Sequence, residues 1–168
     1  MTYDSPYAVP ETTTFNLLFV CTGNTCRSPM AEGIARRELA ERGWTHVRVA
    51  SAGLAAHDGD PASPEAVIVG ARTGVDLSGH RSRSMDAETV EWADLILAMG
   101  VSHLAGVSRL GGRAKSALLA SFAAGEGRRG AGVSDPFGGS VEVYEDTFHE
   151  LEGLVSATLD RLAPILHP

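Results

Sequence analysis

The stretch LLFVCTGNTCRSPMAEG, residues 17–33, constrains this chain more than any other. An apolar run of the kind found in buried parallel strands stops on a cysteine and crosses glycine, asparagine and threonine. From Pro29 onward, apolar residues recur near helical spacing. Strand, tight loop and helix predict a β-α unit of a parallel sheet. The loop then lies beyond the carboxyl end of the strand, where open sheets of this kind keep their functional crevice.

The loop residues have the chemistry of an anion cradle. Gly23 and Asn24 tolerate the positive φ that turns successive backbone N–H groups inward, and a helix beginning near Pro29 adds its positive end. Arg27 supplies a planar fork that pairs two oxygens of a tetrahedral oxyanion at once. The same positive field favours the thiolate of Cys21, and Ser28 can donate a hydrogen bond to that sulfur. A buried cysteine closing a strand is the plain structural alternative, and a lone C-x5-R spacing does not separate the two. Glycine, asparagine, arginine and serine between a strand and a helix favour the nucleophile. The loop does not match the G-x-x-x-x-G-K-[ST] pattern, which argues against an NTPase.

Strands and helices continue to alternate downstream. Residues 15–21 predict the first strand, 29–43 a helix, 46–53 the second strand, and 63–74 a helix with Ser63 as N-cap and Gly74 closing it. Residues 84–93 read as a short helix, 94–99 as a third strand, 100–111 as a helix and 116–122 as a fourth strand. After the glycine-rich loop 125–135, residues 141–166 carry Val143, Phe148, Leu151, Leu154, Val155, Leu159 and Leu162 as the stripe of a long terminal helix. The expected fold is α/β: a single-domain open parallel four-stranded sheet with helices on both faces, and a phosphate-binding loop between the first strand and the first helix. Residues 1–14 read as a flexible tail and 15–168 as the domain.

Composition narrows the partners. At 168 residues and 43% hydrophobic content the chain can bury one core, and its net charge of -7 speaks against general affinity for nucleic acid or an anionic membrane. The start has no signal-peptide pattern, and no apolar run is long enough to span a bilayer, so a cytoplasmic protein is expected. Two cysteines five residues apart suit a reducing compartment, and none of the six histidines stands at a metal-motif spacing from them. No metal is expected.

These residues resemble a known family, the low-molecular-weight protein tyrosine phosphatases. Their loop reads V-C-x-G-N-x-C-R-S-P, present here as VCTGNTCRSP; "SAG" follows the second strand at residues 51–53, and a D-P-aromatic motif stands here as DPF, residues 135–137. The resemblance spans residues 15–162. It implies Cys21 as nucleophile, Arg27 as phosphate clamp and Asp135 as general acid and then base. Thr22, Gly23, Asn24, Thr25, Cys26, Ser28 and Phe137 would contact substrate. Asn24 would hold the loop through Ser51 and His80, although His80 also reads as a surface residue. Cys26 is either a trap for oxidised Cys21 or a small buried filler, and His57 falls near a rim aromatic of the family or is simply exposed.

The resemblance implies a monomer that needs no cofactor, takes a phosphorylated protein as substrate and releases inorganic phosphate. Phosphotyrosine is the first expectation, as the broader family's substrate. Thr25 in place of isoleucine or leucine, and Gly138 in place of a second aromatic, instead resemble bacterial members that act on phosphoarginine. Arsenate reduction would need a further cysteine, and a module that only binds phosphate would be expected to have lost Cys21 or Asp135.

Overall fold

Strand β1, Phe15–Cys21, is hydrogen-bonded to a neighbour on each side, and from Leu17 onward its side chains are apolar on both faces because helices cover both. The structure is a computed structural model that describes residues 14–125 and 132–166. The expected tail therefore lies outside the described residues except for Thr14, and so does the middle of the glycine-rich loop. Strand β2, Val47–Gly53, runs parallel to β1 in a register that sets Gly53 opposite Cys21. Strand β3, Leu95–Ala98, flanks the other side of β1, and β4, Ser116–Leu118, adds the outer edge. The order β2-β1-β3-β4 is parallel throughout and reverses direction at β1, so the loop after β1 opens at a switch point of the sheet.

Alternate residues of β1 build the two cores. Leu17, Phe19 and Cys21 enter the layer formed with α1 (Arg27–Arg42), α2 (Pro64–Arg72) and the terminal helix, while Leu18 and Val20 enter the opposite layer. That second layer is closed by Val90 of α3, Ala87–Trp92, and Val107 of α4, Val101–Arg109. Helices thus cover both faces of a four-stranded parallel sheet, as expected.

Four local expectations are corrected. The fourth strand ends at Leu118, and Leu119–Ala124 forms helix α5. An edge strand has one neighbour, and the β3–β4 ladder ends at the Ala98–Leu118 pair; beyond it the Leu- and Ala-rich LASFAA follows its helix preference. Arg161 Nη1 then donates to the Phe122 carbonyl at 2.6 Å near the end of α5. The first helix starts at Arg27, two residues before Pro29, which is a position proline accepts within a first turn. The short third helix begins at Ala87 rather than in the 80s loop, because Asp86 and Thr89 close a capping box there. The terminal helix α6, Val141–Leu166, buries Tyr144, Phe148, Leu151, Val155, Leu159 and Leu162, whereas Val143 is 44% exposed. The helical repeat runs through Tyr144 and leaves its neighbour on the outer side.

Ser63 occupies the N-cap position of α2 but makes no side-chain capping bond. Its N–H and hydroxyl both reach the Thr25 carbonyl, at 2.9 and 3.2 Å, so it ties α2 to the loop after β1. Gly53 presses on the same loop from the other side. A methyl group on Gly53 would lie 2.5 Å from the Thr22 carbonyl oxygen and 2.9 Å from the Asn24 nitrogen. Gly53→Ala is expected to lower unfolding free energy by about 1–3 kcal/mol, the usual cost of overpacking, as read by urea denaturation. A variant as stable as wild type would show that the loop yields freely at this contact.

Candidate active site

The loop between β1 and α1 is organised around Asn24, whose side chain and backbone are both engaged. Its φ of 56° is the only positive value at a non-glycine position among the described residues. Asparagine tolerates that left-handed conformation better than most residues, and here it is fully buried. The Asn24 Oδ1 accepts from Arg83 N–H at 2.9 Å, which fixes the orientation of the amide. The Nδ2 then donates to Ser28 Oγ at 2.8 Å and to Ser51 Oγ at 2.9 Å. Ser51 in turn donates to Glu32 Oε1 at 2.9 Å, and Arg36 pairs with the other Glu32 oxygen at 2.7 Å. His80 reaches the loop differently: its Nε2–H donates to the Asn24 backbone carbonyl at 2.7 Å, not to the side chain.

Direction in this network matters for Cys21. Ser28 Oγ accepts a hydrogen bond from Asn24, so its own hydroxyl proton is available for Cys21 Sγ, 2.9 Å away. Both groups are buried. The loop turns five residues over a single strand end and delivers Arg27 as the first residue of α1. Arg27 is 7% exposed; its Nη1 donates to the Val133 carbonyl at 3.0 Å and its Nη2 lies 3.5 Å from Asp135 Oδ2. The Nε of Arg27 is buried and has no partner within the described residues.

Val133 is held from two sides, since its N–H donates to the Met99 carbonyl at 2.8 Å while its carbonyl takes Arg27. Two residues on, Asp135 is half exposed, and its Oδ1 accepts from Phe137 N–H at 3.1 Å. Cys21, Thr22, Gly23, Thr25, Cys26, Arg27, Asp135 and Phe137 surround a cavity of about 230 Å³. Phe137 is 77% exposed, so one wall is an aromatic ring facing solvent. Ser28, Asn24, Ser51 and His80 stand behind the cavity rather than in it. His57 is exposed and outside the lining; its carbonyl accepts from Ser82 Oγ.

Cys26 sits in a polar niche. Its Sγ lies 3.2 Å from Tyr144 Oη and 3.4 Å from Ser63 Oγ, and Thr25 Oγ1 is 3.7 Å away. Burial first, and then the bond to Cys26, push the Tyr144 phenol up to about 12. Both cysteines are free thiols.

Sequence reasoning passed over Glu32, Tyr144 and Val133, and above all His103. This histidine of α4 is 5% exposed, with Nε2 2.9 Å from Thr22 Oγ1 and Nδ1 accepting from Gly100 N–H at 3.0 Å. Its only signal in the sequence is its place three residues after Gly100, which is weak because many helices carry a polar residue there.

The match that decides the family covers nearly the whole described fold: the sequence model described as "Low molecular weight phosphotyrosine protein phosphatase" aligns with residues 16–164. The chain belongs to the low molecular weight protein tyrosine phosphatase family. Members of this family are hydrolases that act on phosphorylated proteins. The chain is 40% identical to a protein-arginine-phosphatase of Bacillus subtilis over 140 residues, covering 83% of this chain and 91% of the relative. A low molecular weight protein tyrosine phosphatase of T. tengcongensis superposes with a TM-score of 0.81 at 42% identity, covering 89% of this chain and 100% of that one. The YwlE arginine phosphatase, in a mutant form with a phosphorylated active-site serine, superposes with a TM-score of 0.80 at 39% identity, covering 88% and 95% of the two chains. Among the described residues no helix is long and apolar enough to cross a membrane.

Burial first, and then the nearby Arg27 charge, lower the His103 pKa from its ordinary 6.5, with Asp135 opposing. The unfolded chain therefore binds this proton before the folded one does. The contribution of His103 to stability is complete above 6.5 and is lost as pH falls below it. His103→Asn keeps an acceptor for Gly100 and removes the titration. Urea midpoints measured between about pH 7 and pH 5 should fall less steeply for this variant than for wild type. Parallel curves would show that His103 titrates alike in both states.

Proposed function

We propose that the chain is a protein phosphatase working through a cysteinyl-phosphate on Cys21, with phosphoarginine as the residue from which it takes the phosphoryl group. The observation that carries the phosphoryl reading is the buried Arg27 guanidinium, unpartnered at Nε, lining the same cavity as Cys21. A desolvated donor without a partner costs about 1–3 kcal/mol or more, so the site is built to be completed by an anion.

The Cys21 thiolate attacks phosphorus, with Ser28 donating to the sulfur and the backbone N–H groups of residues 22–27 receiving the phosphoryl oxygens. As the S–P bond forms, the bond from phosphorus to the leaving atom breaks, and protonated Asp135 gives its proton to that atom. Water then attacks phosphorus while Asp135 takes its proton, releasing inorganic phosphate and regenerating the thiolate. These two steps use groups of this chain and water alone, with no cofactor. A monomer suffices for them, since every group named comes from one chain. The mechanism also needs a reduced thiol, which suits the cytoplasm. Cys26, one loop turn away, would capture an oxidised Cys21 as a reversible disulfide.

Phosphoarginine is favoured by Thr25, whose side chain lines the cavity where the broader family carries isoleucine or leucine, and by likeness to proteins named as arginine phosphatases. Phosphotyrosine is the second reading, supported by likeness to proteins named as tyrosine phosphatases; the Phe137 ring can lie against either a phenyl group or a guanidinium. Thr25→Ile is expected to lower the ratio of phosphoarginine to phosphotyrosine peptide turnover at least about tenfold. An unchanged ratio would remove the main support for the arginine reading.

Asp135→Asn separates acid catalysis from a structural role. It should slow hydrolysis of substrates with poor leaving groups by about 10²–10⁴-fold. The loss should be much smaller for p-nitrophenyl phosphate, whose phenolate leaves without a proton. Equal losses on both substrates would place the general acid elsewhere.

A further inference from the structure

His103 borders the cavity through Thr22 and takes no part in the steps above. Its two ring nitrogens have different duties. Nδ1 accepts from Gly100 N–H at the start of α4, so the neutral ring carries its proton on Nε2. That Nε2–H faces Thr22 Oγ1 at 2.9 Å and donates to it. A threonine hydroxyl that receives a hydrogen bond in this way keeps its own proton to give. Thr22 follows Cys21 directly and lines the cavity beside it.

We propose that His103 is a positioning residue: by donating to Thr22 it turns the Thr22 hydroxyl proton into the cavity, where Thr22 donates to the phosphoryl oxygens of the substrate. This rests on the reading of the cavity as a phosphoryl-transfer site. Protonation would defeat the arrangement, because a cationic ring has no acceptor for Gly100 N–H. Burial and the Arg27 charge oppose that protonation, and Asp135 is the one carboxylate that favours it. The geometry also explains why this histidine stands at the third position of a helix whose N-cap is a glycine. One ring joins the helix start to the loop, and it leaves Thr22 with one acceptor role filled and one donor role open.

A purely structural His103 would serve only as the cap for Gly100, and two substitutions distinguish the roles. Asparagine at this position offers an acceptor near the place of Nδ1 and loses the donor to Thr22. Glutamine offers a donor near the place of Nε2 and loses the cap. The experiment measures kcat and KM on p-nitrophenyl phosphate, together with melting temperature, for wild type, Thr22→Val, His103→Asn, His103→Gln and the Thr22→Val/His103→Asn pair.

Thr22→Val and His103→Asn are each expected to lower kcat about tenfold, the scale of one hydrogen bond to a charged group, with the pair no worse than either alone. His103→Asn should melt near wild type. His103→Gln should melt lower and yet keep most of kcat. Three results would each overturn the proposal: losses that multiply in the pair, an activity order that follows melting temperature, or a Thr22→Val enzyme with unchanged kcat. Thr22→Val can overturn the proposal even if a His103 variant fails to fold. A wild-type protein that releases no phosphate would defeat the phosphatase reading as well, whereas an active wild type with any of the three results defeats only the role given to His103.

Discussion

The buried amide of Asn24 is the interaction on which the rest of this site depends. A loop that aims several N–H groups at one point must adopt a conformation that most side chains resist, and Asn24 takes it at φ 56°. Its side chain then offsets the strain by bonding three elements at once: Ser28 in α1, Ser51 in β2 and the backbone of Arg83 in the segment before α3. Because the amide is buried, losing any of these partners would leave an unsatisfied polar group, which makes the arrangement close to all-or-none. The same bonds set the direction of the Ser28 hydroxyl proton and so reach Cys21.

The sheet supplies what the amide cannot. Pairing on both sides of β1 fixes where Cys21 emerges, and the register that places Gly53 against it lets the loop backbone close over a residue with no side chain. From the other flank, the end of β3 holds Val133 through the Met99 carbonyl, and Arg27 holds the same residue through its carbonyl. Asp135 is therefore placed relative to Arg27 by two hydrogen bonds to the backbone of Val133, one from the Arg27 side chain and one to the Met99 carbonyl. A chain with net charge -7 in this way concentrates positive potential at one point, through a helix start, a nest of N–H groups and a single buried guanidinium.

The parts written in local order were legible in the sequence. The strand, loop and helix around Cys21 could be read because periodicity, glycine and proline all act within a few residues, and the β-α alternation then implied the parallel sheet. Residues 116–122 could not be divided correctly, because the point where β4 stops is set by the length of β3 beside it. The role of Ser63 was misread for a similar reason: its hydroxyl answers to Thr25, a partner distant in sequence, instead of to its own helix. His103 was invisible for the strongest form of this reason. Nothing in GVSHLAGV hints at Thr22, which lies on another element and meets it only after the sheet has formed. Family resemblance reached further than local pattern at Ser51 and Asp135, where motif order stands in for spatial contact.

Covalent phosphorylation of Cys21 is the central chemical claim, and trapping it is the most direct test. Enzyme carrying Asp135→Asn, which slows release of the intermediate by removing the base, is mixed with p-nitrophenyl phosphate, whose phenolate leaves without a proton, quenched within the first turnover and digested. Mass spectrometry then looks for one phosphoryl group. The mechanism predicts that group on the peptide bearing Cys21, attached through sulfur and lost when Cys21 is replaced by alanine or alkylated beforehand. Phosphate released in that first turnover with Cys21 unmodified, or a phosphoryl group carried on a different residue, would contradict it.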